Sequence, residues 1–239
     1  VNSVSAGKDH TLFTMFDGNV YAVGSNEKGK LGVLTDDIPE GGSTPIPIFV
    51  ANTGATIKAS AGNSHSLAVG YGRMVTSWGS NEDGRLGREL TGEQTWTATA
   101  DILPKIPSTI MDVSAGGDHN LALEYNGVLY SWGNNRDGQL GLGNSTTNLS
   151  ILEPQANERY LMDADVVIRS ISAGSGYGAI SDATGQVYGI GDYTKGRYQG
   201  GSSLILRQND TLGDTPIIVG EKGQPSSKHQ VLVQVGEDV

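Results

Sequence analysis

The segment Gly24-Ser25-Asn26-Glu27-Lys28-Gly29-Lys30 satisfies the first part of a phosphate-binding loop. In such a loop backbone N–H groups cradle phosphates and a lysine reaches them. Magnesium ligation then requires Ser or Thr, and Leu31 follows instead. His10, His65 and His119 form a second chemical set. Imidazoles ligate metals and titrate near neutrality. Asp9 and Asp118 directly precede two of them, which is the composition of an acid–base pair. No Gly-x-Ser-x-Gly elbow supplies a nucleophile. Neighbouring residues on a strand also point to opposite faces, which separates Asp9 from His10. The chain has no cysteine, hence no disulfide, thiolate site or cysteine nucleophile.

All three features recur, and the recurrence decides their meaning. The block Ala6-Gly7-Lys8-Asp9-His10-Thr11-Leu12 returns as Ala61 to Leu67, as Ala115 to Leu121 and, worn down, as Ala173 to Ala179. Gly7 to Gly62 spans 55 residues, Gly62 to Gly116 54, and Gly116 to Gly174 58. A second glycine follows each anchor after 17 residues (Gly24, Gly79, Gly133, Gly191) and a third after 5 more (Gly29, Gly84, Gly138, Gly196). Length varies only in the connectors beyond them. The phosphate-loop segment is therefore the turn of a repeat, equivalent to Gly79 to Leu86 and Gly133 to Leu140. The histidines are repeat positions too, expected to bond to a neighbouring strand's backbone and hold adjacent units together. Metal ligands must converge to about 2 Å from one ion, which unit-related side chains do not favour.

Within each unit the elements are short strands. Leu67-Ala68-Val69 and Leu121-Ala122-Leu123 alternate with period two. Asp17-Gly18, Tyr71-Gly72 and Asn126-Gly127 are hairpin turns leading to strands such as Val128-Leu129-Tyr130-Ser131-Trp132. Runs such as Thr56 to Ser60 precede each anchor. Pro45 to Val50 and Pro216 to Val219 add a Pro-led edge strand. No segment has sustained helical periodicity. Four strands per unit predict an all-β β-propeller with one blade per repeat. The units run approximately over 1–55, 56–109, 110–167 and 168–230, with a fifth beginning at 231–239.

The pattern A-G-x-x-H-x-L-A-L, a turn, then V-Y-S-W-G-x-N-x-x-G-Q-L-G, clearest over Ala115 to Gly143, resembles the regulator of chromosome condensation repeat. The resemblance covers almost the whole chain. It implies a seven-bladed ring of RCC-like blades whose faces bind protein partners. Four complete repeats plus the start of a fifth, at Val235-Gly236-Glu237-Asp238-Val239, are fewer than seven. The expectation is that missing sequence or another chain completes the ring, since an open propeller leaves raw sheet edges. The fourth unit departs from the pattern, with Tyr177 in place of the histidine and Ile190 in place of the tryptophan.

Net charge is −10, from 16 Lys and Arg against 26 Asp and Glu. That argues against nucleic-acid binding, which wants a basic stripe. The expectation is a non-enzymatic scaffold with a protein partner, no cofactor, no metal and no membrane insertion. Asn-, Thr- and Ser-rich composition without cysteine suits a secreted or cell-surface protein; the alternative is cytoplasmic or nuclear. Trp78 and Trp132, being repeat positions, are assigned to blade cores. The residues that break the repeat are the partner-binding candidates, because Trp, Tyr and Arg dominate interface hot spots and loops on rigid frames carry function. They are Trp96 in the connector Thr91 to Thr97, and Tyr193, Arg197 and Tyr198 in the altered fourth turn. Asp36 and Asp37 in the first connector add rim charge. Alternatives are a guanine-nucleotide exchange factor for a small GTPase and a secreted enzyme inhibitor.

Overall fold

The computed structural model describes residues 1–36, 38–90, 94–142, 150–157, 167–183, 185 and 187–191, with strand backbone at 204–205 and 217–219. The first sheet holds β1 (Ser3–Ala6), β2 (His10–Thr14), β3 (Val20–Ser25) and β4 (Ser43–Val50). The second holds β5 (Thr56–Ala61), β6 (His65–Gly70), β7 (Val75–Ser80) and β8 (Trp96–Ile102). The third holds β9 (Ile110–Ala115), β10 (His119–Glu124), β11 (Leu129–Asn134) and β12 (Ser150–Ala156). The fourth holds β13 (Ile168–Ala173), β14 (Tyr177–Asp182), β15 (Val187–Gly191), β16 (Leu204–Ile205) and β17 (Ile217–Val219). The first three are antiparallel meanders in chain order. The fourth runs β13-β14-β15-β17-β16, so β16 adds a fifth strand outside the expected four. Helical turns among the described residues are limited to 3₁₀ turns at Glu27–Gly29 and Glu82–Gly84.

The core lies between sheets. Leu12, Val20 and Val50 of the first pack with Ala59, Ala68 and Trp78 of the second. Leu67 and Val75 of the second pack with Val113, Ala122 and Trp132 of the third. Leu121 and Leu129 meet Ile168, Ile180 and Ile190 of the fourth. A four-stranded sheet cannot bury its apolar faces alone, so each is covered by its neighbours.

Two anchor glycines show why the spacing tolerates no insertion. A Cβ on Gly7 would stand 2.2 Å from the Gly62 carbonyl oxygen and 2.8 Å from the His10 ring. Each such glycine thus seats its own histidine and the turn of the next blade. The turns touch through Lys8 N–H to Gly62 O (3.4 Å), Asn63 N–H to Gly117 O (3.2 Å) and Gly117 N–H to Gly174 O (2.9 Å). Gly24 sits at φ 110°, a conformation that L side chains rarely adopt. Its Cβ would meet the Asp9 carbonyl oxygen at 2.4 Å.

The structure revises the sequence reading of the connectors. Residues 96–102 and 150–156 are strands, although their polar composition reads as loop. Each is the last strand of its sheet, selected by the free edge of β7 or β11 rather than by local propensity. Trp96 accordingly stands on a strand, at the start of β8.

Candidate functional site

Three groups of residues carry the chemistry of this chain, and the structure places two of them in the scaffold. His10 Nε2 lies 2.9 Å from Ser66 Oγ of the next blade. Ser66 Oγ in turn donates to the Lys30 carbonyl at 2.9 Å, which also accepts from Trp78 Nε1 at 2.9 Å. The next seam repeats this arrangement with Asn120. Its Oδ1 lies 2.7 Å from His65 Nε2, and its Nδ2 donates to the Arg85 carbonyl at 2.7 Å. Trp132 Nε1 donates to the same carbonyl at 3.1 Å. The partner is thus a side chain of the next blade, which hands the bond on to backbone. Because Ser66 spends its hydrogen on Lys30, and Asn120 Oδ1 can only accept, both imidazoles must donate from Nε2. Among the described residues their buried Nδ1 atoms have no partner.

This geometry suits neutral imidazole. Burial holds His10 down to about 4, with the Lys30 charge adding to the effect. Burial likewise holds His65 down to about 3 and His119 down to about 4. A second proton would place an N–H at Nδ1, facing no acceptor. Among the described residues no three His, Asp or Glu side chains gather closely enough to hold a metal ion.

The aspartates pair with cations, not with the histidines. Asp9 Oδ1 is 2.5 Å from Lys30 Nζ, and Asp118 Oδ1 is 2.8 Å from Arg85 Nη1. Lys30, the would-be phosphate lysine, is 1% exposed and committed to that pair. Asn26 explains the recurring turn: its Oδ1 accepts from Leu31 N–H at 3.2 Å and its Nδ2 donates to Val33 O at 2.9 Å. Asn81 and Asn135 accept equivalently from Leu86 and Leu140, each at 3.0 Å. The phosphate-loop segment is a side-chain-stapled turn, with no helix opening behind it.

The third group is the candidate site. A groove of about 530 Å³ runs between the connector of the first blade and β8 of the second, lined by Val33, Leu34, Ala51, Trp96 and Ala98 among others. Trp96 is half-buried, its ring against Gly29 of the neighbouring turn. Strand register gives it counterparts that sequence spacing concealed. Trp96 pairs with Ser80 as Ser43 pairs with Ser25 and Ser150 with Asn134. An aromatic therefore occupies a position where the first and third blades hold serine. Leu34, 56% exposed, also lines the groove. Sequence reasoning did not select it, although the apolar run Leu31-Gly32-Val33-Leu34 after an anchor was visible. Asp36 is exposed and follows Thr35, which lines the groove. Asp37, Tyr193, Arg197 and Tyr198 lie outside the described residues. Trp78 and Trp132 are fully buried, as assigned.

Radially repeated meanders, joined face to face and stitched by one recurring relay, define a β-propeller built of repeat blades. Two profiles of the regulator of chromosome condensation (RCC1) repeat match the chain, one over residues 1–30 and 110–139 and the other over 17–69 and 126–180. The chain belongs to that repeat family. It is 33% identical over 201 residues to the probable E3 ubiquitin-protein ligase HERC6 of Homo sapiens, covering 82% of this chain and 19% of HERC6. It is 38% identical over 153 residues to the ultraviolet-B receptor UVR8 of Arabidopsis thaliana, covering 62% of this chain and 32% of UVR8. Prp20p of Saccharomyces cerevisiae, whose structure was solved together with its binding properties to Gsp1p and histones, aligns at TM-score 0.71 and 20% identity. That alignment covers 92% of this chain and 50% of Prp20p. The chain thus spans a minor part of these curated relatives and half of Prp20p.

Proposed function

We propose that this chain is a non-enzymatic protein-interaction module, and that a partner docks in the groove beside Trp96. The observation that carries this is the tryptophan at a serine position of the repeat, in a groove that the exposed Leu34 also lines. Scaffold positions are spoken for by the seam relays and stapled turns. Trp96 belongs to neither set, although its ring rests on Gly29 of one stapled turn, and aromatic anchors concentrate binding energy. The binding of Gsp1p and histones by Prp20p supports a protein as the partner class.

The test is affinity capture with the whole chain and two variants. Trp96→Ser restores the residue of the other blades, and Tyr125→Ser alters an exposed aromatic on a β-hairpin turn away from the groove. A partner recovered by wild type and Tyr125→Ser, and lost at least about tenfold with Trp96→Ser, supports the assignment. Equal recovery by all three removes it. Nucleotide exchange on a small GTPase is the second reading, supported by the likeness to the Gsp1p-binding Prp20p. A fluorescent-nucleotide release assay that shows no acceleration with the partner GTPase eliminates it.

A further inference from the structure

The third seam lacks the relay that stitches the first two. By position, Gly178 stands where Ser66 and Asn120 stand, and Ile190 where Trp78 and Trp132 stand. The register agrees, with Tyr177 opposite Gly191 as His65 is opposite Gly79 and His119 opposite Gly133. Glycine has no side chain to take the histidine's bond, and the isoleucine side chain has no N–H to match the indole's. His119 is fully buried, and among the described residues neither Nδ1 nor Nε2 has a hydrogen-bond partner. His10 and His65 each lack a partner only at Nδ1.

Apolar packing occupies the space that the relay vacated. A Cβ on Gly178 would stand 3.1 Å from both Leu121 Cδ1 and Ile190 Cγ1. Polar links across this seam among the described residues include two that recur from the other seams or turns. Ala173 N–H donates to Ser114 Oγ at 2.9 Å, as Ala115 N–H does to Ser60 Oγ at 2.9 Å and Ala61 N–H to Ser5 Oγ at 3.0 Å. Gly117 N–H donates to Gly174 O at 2.9 Å. The first two seams are therefore held by packing plus a directional network whose members satisfy one another. Among the described residues the third has packing and these backbone links without that relay, and it carries the standing cost of an unsatisfied buried imidazole.

We propose that the seam between the third and fourth blades is a built-in parting line. The fourth blade separates from the third while the first three remain joined, and separation lets water reach His119. In a chain of blades that each contact only their neighbours, a weak interface localises opening there. This conformational property is independent of whether Trp96 binds a partner.

Native-state hydrogen exchange on the whole chain, read by mass spectrometry in low denaturant, tests it. The expected result is that amides of β13 to β15 exchange through an opening at least about tenfold more populated than that of β5 to β7. His119→Leu isolates the cause. Replacing an unsatisfied buried polar group by an apolar one is neutral or stabilising, whereas removing one member of a satisfied pair destabilises. His119→Leu is thus expected to leave or slow exchange in β13 to β15, and His65→Leu to accelerate exchange in β9 to β11. Since branching at Leu could strain the contact with Gly116, His119→Met repeats the test with an unbranched chain. Equal opening of all blades, or acceleration in β13 to β15 by both His119 variants matching that of His65→Leu, overturns the proposal.

Discussion

A histidine joins the first blade to the second at His10 and the second to the third at His65. Its role depends on staying neutral, and that makes stability depend on pH. The folded-state values of His10, His65 and His119, about 4, 3 and 4, lie below the ordinary 6.5. The unfolded chain therefore binds protons first as pH falls. The stability that neutral imidazoles allow is complete above 6.5. It is lost progressively from there down to the folded values, by up to about 1.4 kcal/mol per pH unit for each histidine. The urea midpoint is expected to drop clearly between pH 7.5 and pH 5, above the range in which carboxylates titrate. A midpoint flat over that interval would show that the imidazoles are not buried as neutral groups. The sequence placed these histidines at unit junctions, because three appear at one repeat position. It did not identify Ser66 and Asn120 as the partners of His10 and His65, since each contact spans more than fifty residues and is set by the face-to-face approach of two sheets.

At the scale of strands and turns, the anchor glycines are conformational requirements. Gly79 has φ 102°, and a Cβ there would lie 2.7 Å from the Ser64 carbonyl oxygen. Gly72, in the hairpin turn of the same blade, has open space at its Cβ position. Gly79→Ala is expected to cost more than about 2 kcal/mol in denaturant unfolding, and Gly72→Ala less than about 0.5 kcal/mol. Similar costs at both sites would mean that the repeat spacing has another origin. Inner strands were legible because their alternation and turns are local. β8 and β12 were not: they lie at sheet edges, carry polar residues, and follow connectors of variable length. Trp96 shared that fate. It was recognisable as an outlier, but its register with Ser43 and Ser150 exists only once β8 pairs with β7.

At the scale of the whole molecule, blades couple through nearest-neighbour seams of unequal strength, which weakens all-or-none unfolding. Calorimetry is expected to give a van't Hoff enthalpy below the calorimetric enthalpy, with an early transition that leaves most strand signal intact. Coincident enthalpies and a single transition would mean that the seams act as one unit. The buried cations at the seam turns are neutralised locally, Lys30 by Asp9 and Arg85 by Asp118.

Glycine anchors, alternating strands and one recurring turn write the all-β repeat into the chain, because each depends on backbone preferences acting within a few residues. The same regularity separates scaffold from departure, so the nature of the would-be phosphate loop and the histidine set was readable in advance. The relays across the seams, the loss of one of them at His119, the strand character of residues 96–102 and the groove beneath Trp96 depend on how one sheet meets the next. Those contacts join residues far apart in sequence, and no local pattern encodes the distance or direction at which they approach.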